Sequence, residues 1–525
     1  MTEFPLDGSK RTPEVVGNRG GLSLSRERQA RIRETWSAHG VAGYNEIPES
    51  FSFAFKADEG VVCVRDHLGI EPLYFAIKHG RLGVSNRYKR LAKWLVKTST
   101  NVDYLCAHLL DPPFYHPELT FSNEILRVPP GHVAIFDRSG QRRLSRYWKP
   151  ELVRINPRIS FEEAVETVRE ICVESVRNCV SGYTKVGVHA SGGLDCSAVA
   201  AIAKQVAPDL AINLFSWLPD TPGQERDRVE MMAEQIKAEV SYLPQTPQSR
   251  AEYLLLNPLR TVFESTLPQE FLVQRELQSR GYRLLLSGWG GDESFTTNSA
   301  GFLSGLIGSG QLQRFAAEIL HHKRPLQALY SSLQAFLPHA LLRWKYRKRN
   351  SGNLTERKTL IHPALSLRER TLMSPRVCLR SIRRRILSVI SSGYLARRTE
   401  AWAEHGDDRE VVYAYPWLNK TLFETILSLP EEFFFRRDCP RWFGRNVLNP
   451  FLPDEVCWNL SKFEPSRAAH NQSIVPEALS IFADHLHNTP GNAHLFDYSE
   501  IKRSLSAENR RPNGLLRALV ALETN

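Results

Sequence analysis

The sequence of 525 residues contains no apolar run as long as the ~18 residues that a membrane-spanning helix needs. Its first ten residues, MTEFPLDGSK, lack the basic and apolar stretches of a secretory signal. No two of its eight cysteines form a CxxC pair, and no Cys/His spacing typical of zinc occurs. These absences predict a cytoplasmic protein with reduced, mostly buried thiols, no membrane span and no structural zinc.

The composition of the sequence is typical of a globular protein. Apolar residues make up 42% of it and charged residues 24%, which argues against collagen, coiled-coil and disordered classes. Basic residues exceed acidic ones by 68 − 57 = 11. This excess indicates an anionic ligand, a nucleic acid, an acidic peptide or a membrane surface, without choosing among them.

The pattern of apolar residues changes near position 157. Before it, short β-rich runs occur at 51–55, 61–66, 73–77, 81–85 and 127–137. After it, Ser160 and Glu163 have capping-box spacing ahead of a helical pattern. Strands predicted at 185–190, 210–218 and 282–288 then alternate with helices, one of them over 226–240, and the remainder after about 300 is helix-rich. We therefore predict a β-rich domain at 1–157 and an α/β domain with a doubly wound, mostly parallel sheet at 158–525.

One glycine-rich motif, SGGLDCS at Ser191–Ser197, follows a predicted strand and opens a helix. Gly192 and Gly193 allow a tight turn whose N–H groups, with the helix N-terminus, form a cradle for phosphate. Asp195 would be repelled by phosphate, so it suits a magnesium ion that bridges to phosphate. A generic strand-to-helix turn is the alternative interpretation.

A second motif, LSGWGGDE at Leu286–Glu293, also ends an apolar strand. Ligands of open α/β sheets bind beyond the carboxyl ends of strands, so Asp195 and Asp292 are expected to hold one metal from two sides. Alone, Asp292 and Glu293 could merely cap a helix. The pair of motifs is far more specific than either one.

Together, SGGLDCS and SGWGGDE resemble the asparagine synthetase family, which is built on the ATP-pyrophosphatase (PP-loop) fold. Further stretches between about residues 50 and 470 match that family: Arg65–Tyr74, Val128–His132, Arg146–Trp148, Tyr415–Asn419, Ser428–Pro430, Arg441 with Arg445, Leu452–Glu455 and Ser461–Phe463. The resemblance implies a glutaminase-like domain of the N-terminal-nucleophile type, followed by an ATP-using synthetase domain.

The front domain departs from the family pattern. The family's glutaminase uses a cysteine directly after the initiator methionine, whereas this chain has Thr2. The glutamine-binding segment of the NGEIYN type is also absent, and Cys63 and Cys106 are internal residues expected to pack in the core. We therefore expect this domain to be a degenerate glutaminase that serves as scaffold or substrate-binding surface.

Family members without a glutaminase include β-lactam and carbapenam synthetases and the cyclases of lasso peptides. The β-lactam branch has a catalytic tyrosine where this chain has Trp289, which has no ionisable proton to relay. The resemblance therefore favours a lasso peptide macrolactam synthetase, which adenylates an Asp or Glu side chain for attack by the N-terminal amine of the same peptide. An ammonia-using asparagine synthetase, another small-molecule amide synthetase and a catalytically silent binding protein remain alternatives.

The resemblance also assigns roles in the ATP half. ATP and magnesium are the implied cofactors, with pyrophosphate in the Ser191–Ser197 loop. His189, Ser287 and Gly288 lie near the adenosine, and Lys462 stabilises charge on the reacting phosphate and on the tetrahedral intermediate. Two positions differ from the family: Cys196 replaces a serine and Asn419 an aspartate.

Two basic clusters follow residue 340. One comprises Arg343, Lys345 and Arg347–Arg349, the other Arg380 and Arg383–Arg385. They are interpreted either as a surface for a precursor peptide or partner protein, or as solvated helix faces. No nucleic-acid-binding signature supports the nucleic-acid alternative. The implied partners are a precursor peptide, a leader-binding protein and a peptidase, with no nucleic acid.

Overall fold

The computed structural model describes residues 1–5, 16–19, 22–23, 26–47, 50–110, 115–219, 222–249, 252, 267–337, 378–407, 410–437 and 439–460. Within these residues no helix combines the length and apolarity needed to cross a bilayer.

Two antiparallel sheets build the front of the chain. Their strands are β1 Thr2–Pro5, β2 Val16–Arg19, β3 Leu22–Ser23, β4 Ser52–Ala57, β5 Gly60–Arg65, β6 Tyr74–Lys78, β7 Arg81–Ser85, β8 Leu126–Arg127, β9 His132–Phe136 and β10 Arg142–Arg146. One sheet has the order β1-β7-β6-β8 and the other β10-β9-β5-β4-β2-β3. The accompanying helices are α1 Arg26–His39, α2 Tyr88–Leu95 and α3 Val102–Leu110, with a 3₁₀ turn at Gly40–Glu46.

Both faces of the six-stranded sheet are buried at its central strands β4, β5 and β9, which explains why these three are mostly apolar. Successive side chains point to opposite faces of a strand. In β5, Cys63 joins the core shared with the four-stranded sheet, whereas Val62 and Val64 join the core that includes Ile32 of α1. Helix α2 covers the outer face of the four-stranded sheet. The front is thus a layered α/β/β/α structure.

A five-stranded parallel sheet forms the centre of the second part. Its strands are β11 Lys185–His189, β12 Ala211–Ser216, β13 Glu239–Tyr242, β14 Leu284–Leu286 and β15 Val412–Ala414, in the order β13-β12-β11-β14-β15. Helices of this part are α4 Phe161–Val180, α5 Leu194–Val206, α6 Gln224–Ile236, α7 Leu267–Ser279, α8 Phe302–Gly308, α9 Leu312–Leu320, α10 Pro325–Gln334, α11 Ile382–Ser391, α12 Tyr394–Asp407, α13 Lys420–Ser428, α14 Trp442–Leu448 and α15 Asp454–Cys457. Three 3₁₀ turns lie at Pro150–Leu152, Glu431–Phe434 and Asn449–Phe451.

Helices lie on both faces of this sheet, because its central strands are apolar on both sides. Helix α5 packs with α4 and α6, and α7 packs with α12. The predicted β-rich front and doubly wound α/β second part are therefore confirmed. The predicted boundary at residue 157 lies between the end of β10 and the start of α4, and it stays a prediction.

The sequence also predicted where some elements begin and end. Ser160 caps α4, its side chain accepting a hydrogen bond from the Glu163 N–H at 3.1 Å, as the capping-box spacing predicted. The predicted end of the helix over 226–240 was wrong, because α6 stops at Ile236 and β13 begins at Glu239. Lys237 stops the helix by adopting a left-handed conformation, with φ of 52°.

A buried ion-pair network joins the front of the chain to α12. Glu400 of α12 binds Arg65 and Arg127 at 2.8 Å each, and all three side chains are at most 1% exposed. Tyr115 donates a third hydrogen bond to the same carboxylate at 3.1 Å. One turn later, the carboxylate of Glu404 accepts the N–H groups of Tyr88 and Lys89 at the start of α2. The front sheets therefore fix the position of α12.

Candidate active site at the carboxyl edge of the parallel sheet

The two glycine-rich motifs lie side by side because the strands that lead into them are neighbours. β11 and β14 pair in parallel, with Val188 opposite Leu286. The loop from Ser191 and the loop from Ser287 therefore leave the same edge of the sheet. At β11 the strand order also reverses, and such a point in an open α/β sheet forms a ligand-binding crevice.

Glycine is required in both loops by close backbone approach. Gly192 has a φ of +64°, and a Cβ there would lie 2.3 Å from the carbonyl oxygen of Glu225 at the start of α6. In the second loop, a Cβ on Gly288 would lie 2.5 Å from the backbone nitrogen of Cys196. A Cβ on Gly291 would lie 2.1 Å from Oδ1 of Asp195. The second loop thus packs directly on the first turn of α5.

Asp195 and Asp292 meet at a single cation, the guanidinium of Arg441. Arg441 donates to Oδ2 of Asp195 at 3.1 Å and, through its other terminal nitrogen, to Oδ1 of Asp292. Thr296 donates to Oδ1 of Asp195 at 2.6 Å. Arg441 stands at the left-handed residue before α14, with φ of 62°. The predicted convergence of the two aspartates is present, and Arg441 holds them together.

Burial perturbs the acidic groups of this cluster. Burial raises the pKa of Asp195 to about 6, with a further rise from Asp292 that Arg441 opposes. Burial likewise raises the pKa of Glu293 to about 7, and the charge of Asp292 adds to that effect. Asp292 is the more open of the aspartates, its side chain being 42% exposed against 15% for Asp195. A cation arriving from solvent would meet Asp292 first.

The donor set fits a nucleotide with a magnesium ion. The first N–H groups of α5 have no partner within the helix and point toward the crevice. Magnesium is usually bound through one or two carboxylates together with phosphate oxygens. Asp195 and Asp292 supply that number of carboxylates, and the described residues contain no cluster of three or more side chains capable of binding a metal. These two residues could therefore supply two carboxylate ligands to magnesium, with phosphate oxygens and water completing its coordination.

The other predicted residues of the two motifs lie in or near the crevice and differ in burial and in hydrogen-bond partners. Burial raises the pKa of the Cys196 thiol to about 11. Hydrogen bonds from the Gly288 N–H and from Ser191 favour the thiolate and oppose this rise, but their effect is smaller. Ser197 is buried in α5, and the Ser287 hydroxyl accepts the Trp289 N–H at 3.3 Å.

His189 ends β11 as predicted, but its side chain is enclosed. Its Nε2 lies 3.1 Å from Glu270, which also accepts the Tyr413 hydroxyl at 2.9 Å. Its ring lies between Trp217 and Trp402, with centroids 4.8 and 5.4 Å away. Any contact of this residue with a nucleotide is therefore expected through its backbone.

Several predicted residues lie either outside the crevice or outside the residues that the structure describes. Lys462, with Ser461 and Phe463, lies outside the described residues, as do Arg343–Arg349 and the side chain of Cys106. Cys63 is fully buried in β5, and burial raises its thiol pKa. Thr2 pairs with Val84 at the edge of the front sheet. Asn419 caps α13 by accepting the Leu422 N–H at 3.2 Å, so it serves locally as a cap.

The second basic cluster is partly used inside the protein. Arg383 donates to the carbonyl oxygens of Val153, at 2.6 Å, and Leu427. Arg385 donates to Thr297 at 2.9 Å and to the carbonyl oxygen of Asp292 at 3.3 Å, so it supports the second motif. Only Arg380 and Arg384 of this cluster have exposed side chains. Two of the four arginines thus bind groups within the protein, and the interpretation of this cluster as a docking surface stays a prediction.

Sequence reasoning missed four residues of the site: Thr296, Arg385, Arg398 and Arg441. Arg441 was noticed as a family landmark without a role, and Arg385 as a member of a basic cluster. Arg398 stacks on Trp289 of the second motif, 4.5 Å from its ring centroid. The landmark and the basic cluster gave no indication that Arg441 and Arg385 contact the motifs, and nothing in the sequence around Thr296 and Arg398 pointed to the site.

Comparison with known proteins agrees with this geometry. The asparagine synthase family model matches residues 167–523, and the glutamine amidotransferase domain model matches residues 32–148. A glutamine-hydrolysing asparagine synthetase of Bacillus subtilis is 28% identical over 191 residues, covering 33% of this chain and 25% of that protein. A probable asparagine synthetase of Schizosaccharomyces pombe is 26% identical over 288 residues, covering 49% of this chain and 45% of that protein.

A third relative carries a different name. The protein named amidase chyE of Penicillium rubens is 29% identical over 149 residues, covering 27% of this chain and 20% of that protein. The match thus spans less than half the length of each of these three relatives. The synthase family model, by contrast, covers well over half of this chain. The chain belongs to the asparagine synthase family.

Proposed function

We propose that this protein is an ATP-dependent, AMP-forming amide ligase that closes a macrolactam in a peptide. It adenylates an Asp or Glu side chain of a precursor peptide, and the N-terminal amine of that peptide then displaces AMP. This is the reaction of a lasso peptide cyclase. A leader-binding protein and a peptidase would act on the same precursor.

One observation carries the ATP-using part of this proposal: the loops after β11 and β14 pack on each other, so that Asp195 and Asp292 share one cation. Neighbouring strands with glycine-rich loops place an anion cradle and a pair of carboxylates in the same crevice. This combination suits a nucleotide bound with magnesium, which Asp195 and Asp292 would hold and which would supply positive charge to offset that of the leaving pyrophosphate.

The chain's own residues are proposed to contribute in four ways to this reaction. The N–H groups at the start of α5 bind phosphate oxygens, and Asp195 and Asp292 are the residues that would hold magnesium. Arg441 keeps the two carboxylates together. Lys462 is proposed to stabilise the charge of the transition states. Holding the carboxylate in line with the α-phosphate, and then the amine beside the acyl-adenylate, lowers the entropic part of the barrier.

A substrate that brings its own amine explains the front domain. Thr2 stands at the family's nucleophile position, and Cys63 is a core residue that solvent does not reach. We infer that this domain supplies no ammonia and acts as a scaffold. Trp289 offers no ionisable proton, which argues against the β-lactam branch.

The bacterial and fission-yeast relatives are named glutamine-hydrolysing asparagine synthetases, and their names support asparagine synthesis as the alternative. With Thr2 in place of the cysteine nucleophile, that alternative would use free ammonia. The two reactions are separated by their amine donor. A cyclase converts peptide and ATP to a product one water lighter without added ammonia, whereas the alternative requires ammonium and forms a primary amide.

The proposal is tested with synthetic peptides that each carry a free N-terminal amine and one Asp or Glu. They are incubated with protein, ATP and magnesium, and analysed by mass spectrometry for loss of one water. Blocking the N-terminal amine by acetylation is the matched control and should abolish that loss. If only peptides given ammonium change mass, the macrolactam proposal is refuted.

The assigned residues are tested separately by ATP–pyrophosphate exchange. Asp292→Ala and Lys462→Ala should each reduce the exchange rate at least 100-fold, since each removes a charge proposed to act on phosphate. Arg384→Gln, which changes an exposed arginine on α11, is the control. Undiminished exchange in both variants would remove these assignments.

A further inference from the structure

The most unusual feature of the crevice is an arginine between two tryptophans. The guanidinium of Arg398 lies 4.5 Å from the ring centroid of Trp289 and 4.5 Å from that of Trp402. Stacking occupies the faces of the guanidinium and leaves its N–H groups in the plane between the rings. In the described part of the chain, these N–H groups have no hydrogen-bond acceptor and no carboxylate in ion-pair contact; Nε is buried without a partner.

Such an arrangement is costly unless something else binds the guanidinium. A buried donor without an acceptor loses its hydrogen bonds to water and gains none in return. Two further buried atoms nearby are also without partners: Oε2 of Glu293 and the hydroxyl of Tyr415. The charge of Arg398 acts on both of these groups and on Cys196. Its contact with Trp289 places the guanidinium beside the loop that follows β14, and Trp289 in turn packs against Tyr415 after β15.

Arg398 is separate from the phosphate-binding side of the crevice. There, Arg441 is saturated by Asp195 and Asp292, and Arg385 by Thr297 and a backbone carbonyl. Arg398 instead stacks on Trp289, directly after Ser287 and Gly288, which are expected near the adenosine. The α-phosphate joins the adenosine to the pyrophosphate expected in the Ser191–Ser197 loop. A carboxylate that attacks that phosphorus must lie beside it, in a position where a cation can hold it.

We infer that Arg398 is the docking residue for the carboxylate that the enzyme activates, and that this carboxylate is a side chain of a peptide. The inference rests on the proposed function, because it assumes carboxylate activation. A planar fork of N–H donors matches both oxygens of a carboxylate.

The walls of this pocket define the substrate class further. Trp289 lies against Tyr394 and Tyr415, with ring centroids 5.9 and 5.8 Å apart, so apolar surface surrounds the guanidinium. Glu293 adds an acidic group whose second oxygen is buried without a partner, so the described part of the wall beside the guanidinium offers no second cation for a further carboxylate. A side chain with one negative charge, whose backbone groups are in peptide bonds, fits better than a free dicarboxylic acid.

The test is a ligand-observed NMR titration of the full chain with acetyl-L-aspartic acid α-amide, which carries a single side-chain carboxylate. Acetyl-L-asparagine α-amide is the neutral probe of the same shape. We expect the wild-type protein to bind the acid at least tenfold more tightly than the amide. Arg398→Gln should remove this preference and weaken acid binding at least tenfold, while Arg384→Gln leaves it unchanged.

Pyrophosphate, titrated into the same variants, separates a carboxylate site from a phosphate site. Its affinity should be equal in wild type and Arg398→Gln. The inference is overturned if Arg398→Gln binds the acid as wild type does, if wild type does not prefer the acid, or if the variant loses pyrophosphate binding instead. If Arg398→Gln does not fold, Arg398→Lys decides: a dissociation constant for the acid raised threefold or more supports the inference, and an unchanged one refutes it.

These outcomes are distinct from those of the proposed function. If no peptide is cyclised but acid binding still depends on Arg398, the macrolactam proposal fails and the docking site stands. If Arg398→Gln cyclises peptides with an unchanged KM, the docking site fails and the proposed function stands.

Discussion

Replacing Glu400 by glutamine tests how strongly the front of the chain is attached to α12. The carboxylate accepts hydrogen bonds from Arg65 and Arg127 at 2.8 Å each and from Tyr115 at 3.1 Å, in a fully buried position. Removal of one partner from a buried ion pair typically costs about 3–5 kcal/mol, since the remaining charge stays buried. Arg65 keeps the carbonyl oxygens of Gly69, Glu71 and Val128, so we expect Glu400→Gln to cost about 3 kcal/mol.

The assay is equilibrium urea unfolding followed by tryptophan fluorescence, with the change in free energy taken from the shift in midpoint. The matched control is Glu410→Gln. Glu410 pairs with Arg283 at 3.2 Å, but both side chains are more than 70% exposed. That substitution should change stability by about 0.5 kcal/mol or less. Equal effects of the two substitutions would refute the assignment of stability to the buried network.

Glu400 also gives this network a defined pH dependence. Burial alone would raise the pKa of its carboxyl, but Arg127 and Arg65 outweigh burial and lower it. A carboxyl whose pKa is lower when folded stabilises the protein above its unfolded pKa of about 4.3. That contribution is lost as the pH falls through the folded pKa. The stability difference between wild type and Glu400→Gln should therefore be full at pH 7 and shrink below about pH 4.

Three further predictions concern the loops and helix ends. Gly192→Ala should abolish ATP–pyrophosphate exchange and destabilise the protein by more than Gly182→Ala. Both glycines have positive φ, but an added Cβ would clash only at Gly192. Urea-unfolding midpoints and exchange rates of the two variants check this. Ser160→Ala should cost about 1 kcal/mol through loss of the α4 cap, measured by urea unfolding, and an unchanged midpoint would contradict it. Cys196 should be alkylated by iodoacetamide more slowly than Cys439 at pH 8, with the gap narrowing toward pH 11, because burial raises the pKa of its thiol to about 11; peptide mass spectrometry gives both rates.

The parts of the fold that sequence predicted are those with a local physical signal. Strands β11 and β14 are short, buried runs followed by loops whose glycines the backbone requires, so the two loops were recognisable and their proximity could be inferred. Ser160 and Glu163 marked the start of α4 by their spacing. The end of α6 could not be predicted, because Lys237 takes the left-handed position usually given to glycine, and Val240 continues the helical spacing of apolar residues.

The residues that complete the site were not predictable from their neighbourhoods. Arg441 and Thr296 reach Asp195 from positions 246 and 101 residues away along the chain. Contacts of this kind depend on how helices that follow the sheet fold back over its edge. A three-residue strand such as β15 is likewise too short for a period-two pattern, yet its neighbour Tyr415 lines the crevice.

Helix α12 connects the front of the chain to the crevice. Consecutive helical residues are rotated by about 100°, so side chains two apart point in nearly opposite directions and those four apart share a face. Glu400 and Glu404 share the face that binds the front of the chain, and Arg398 and Trp402 share the face toward the glycine-rich loop after β14. A front domain without a nucleophile would thus still have a structural task, because the ion pairs that fix α12 also fix the guanidinium stacked on Trp289. Arg65 and Arg127 would therefore still be needed to hold Glu400 of α12 after the loss of glutaminase chemistry.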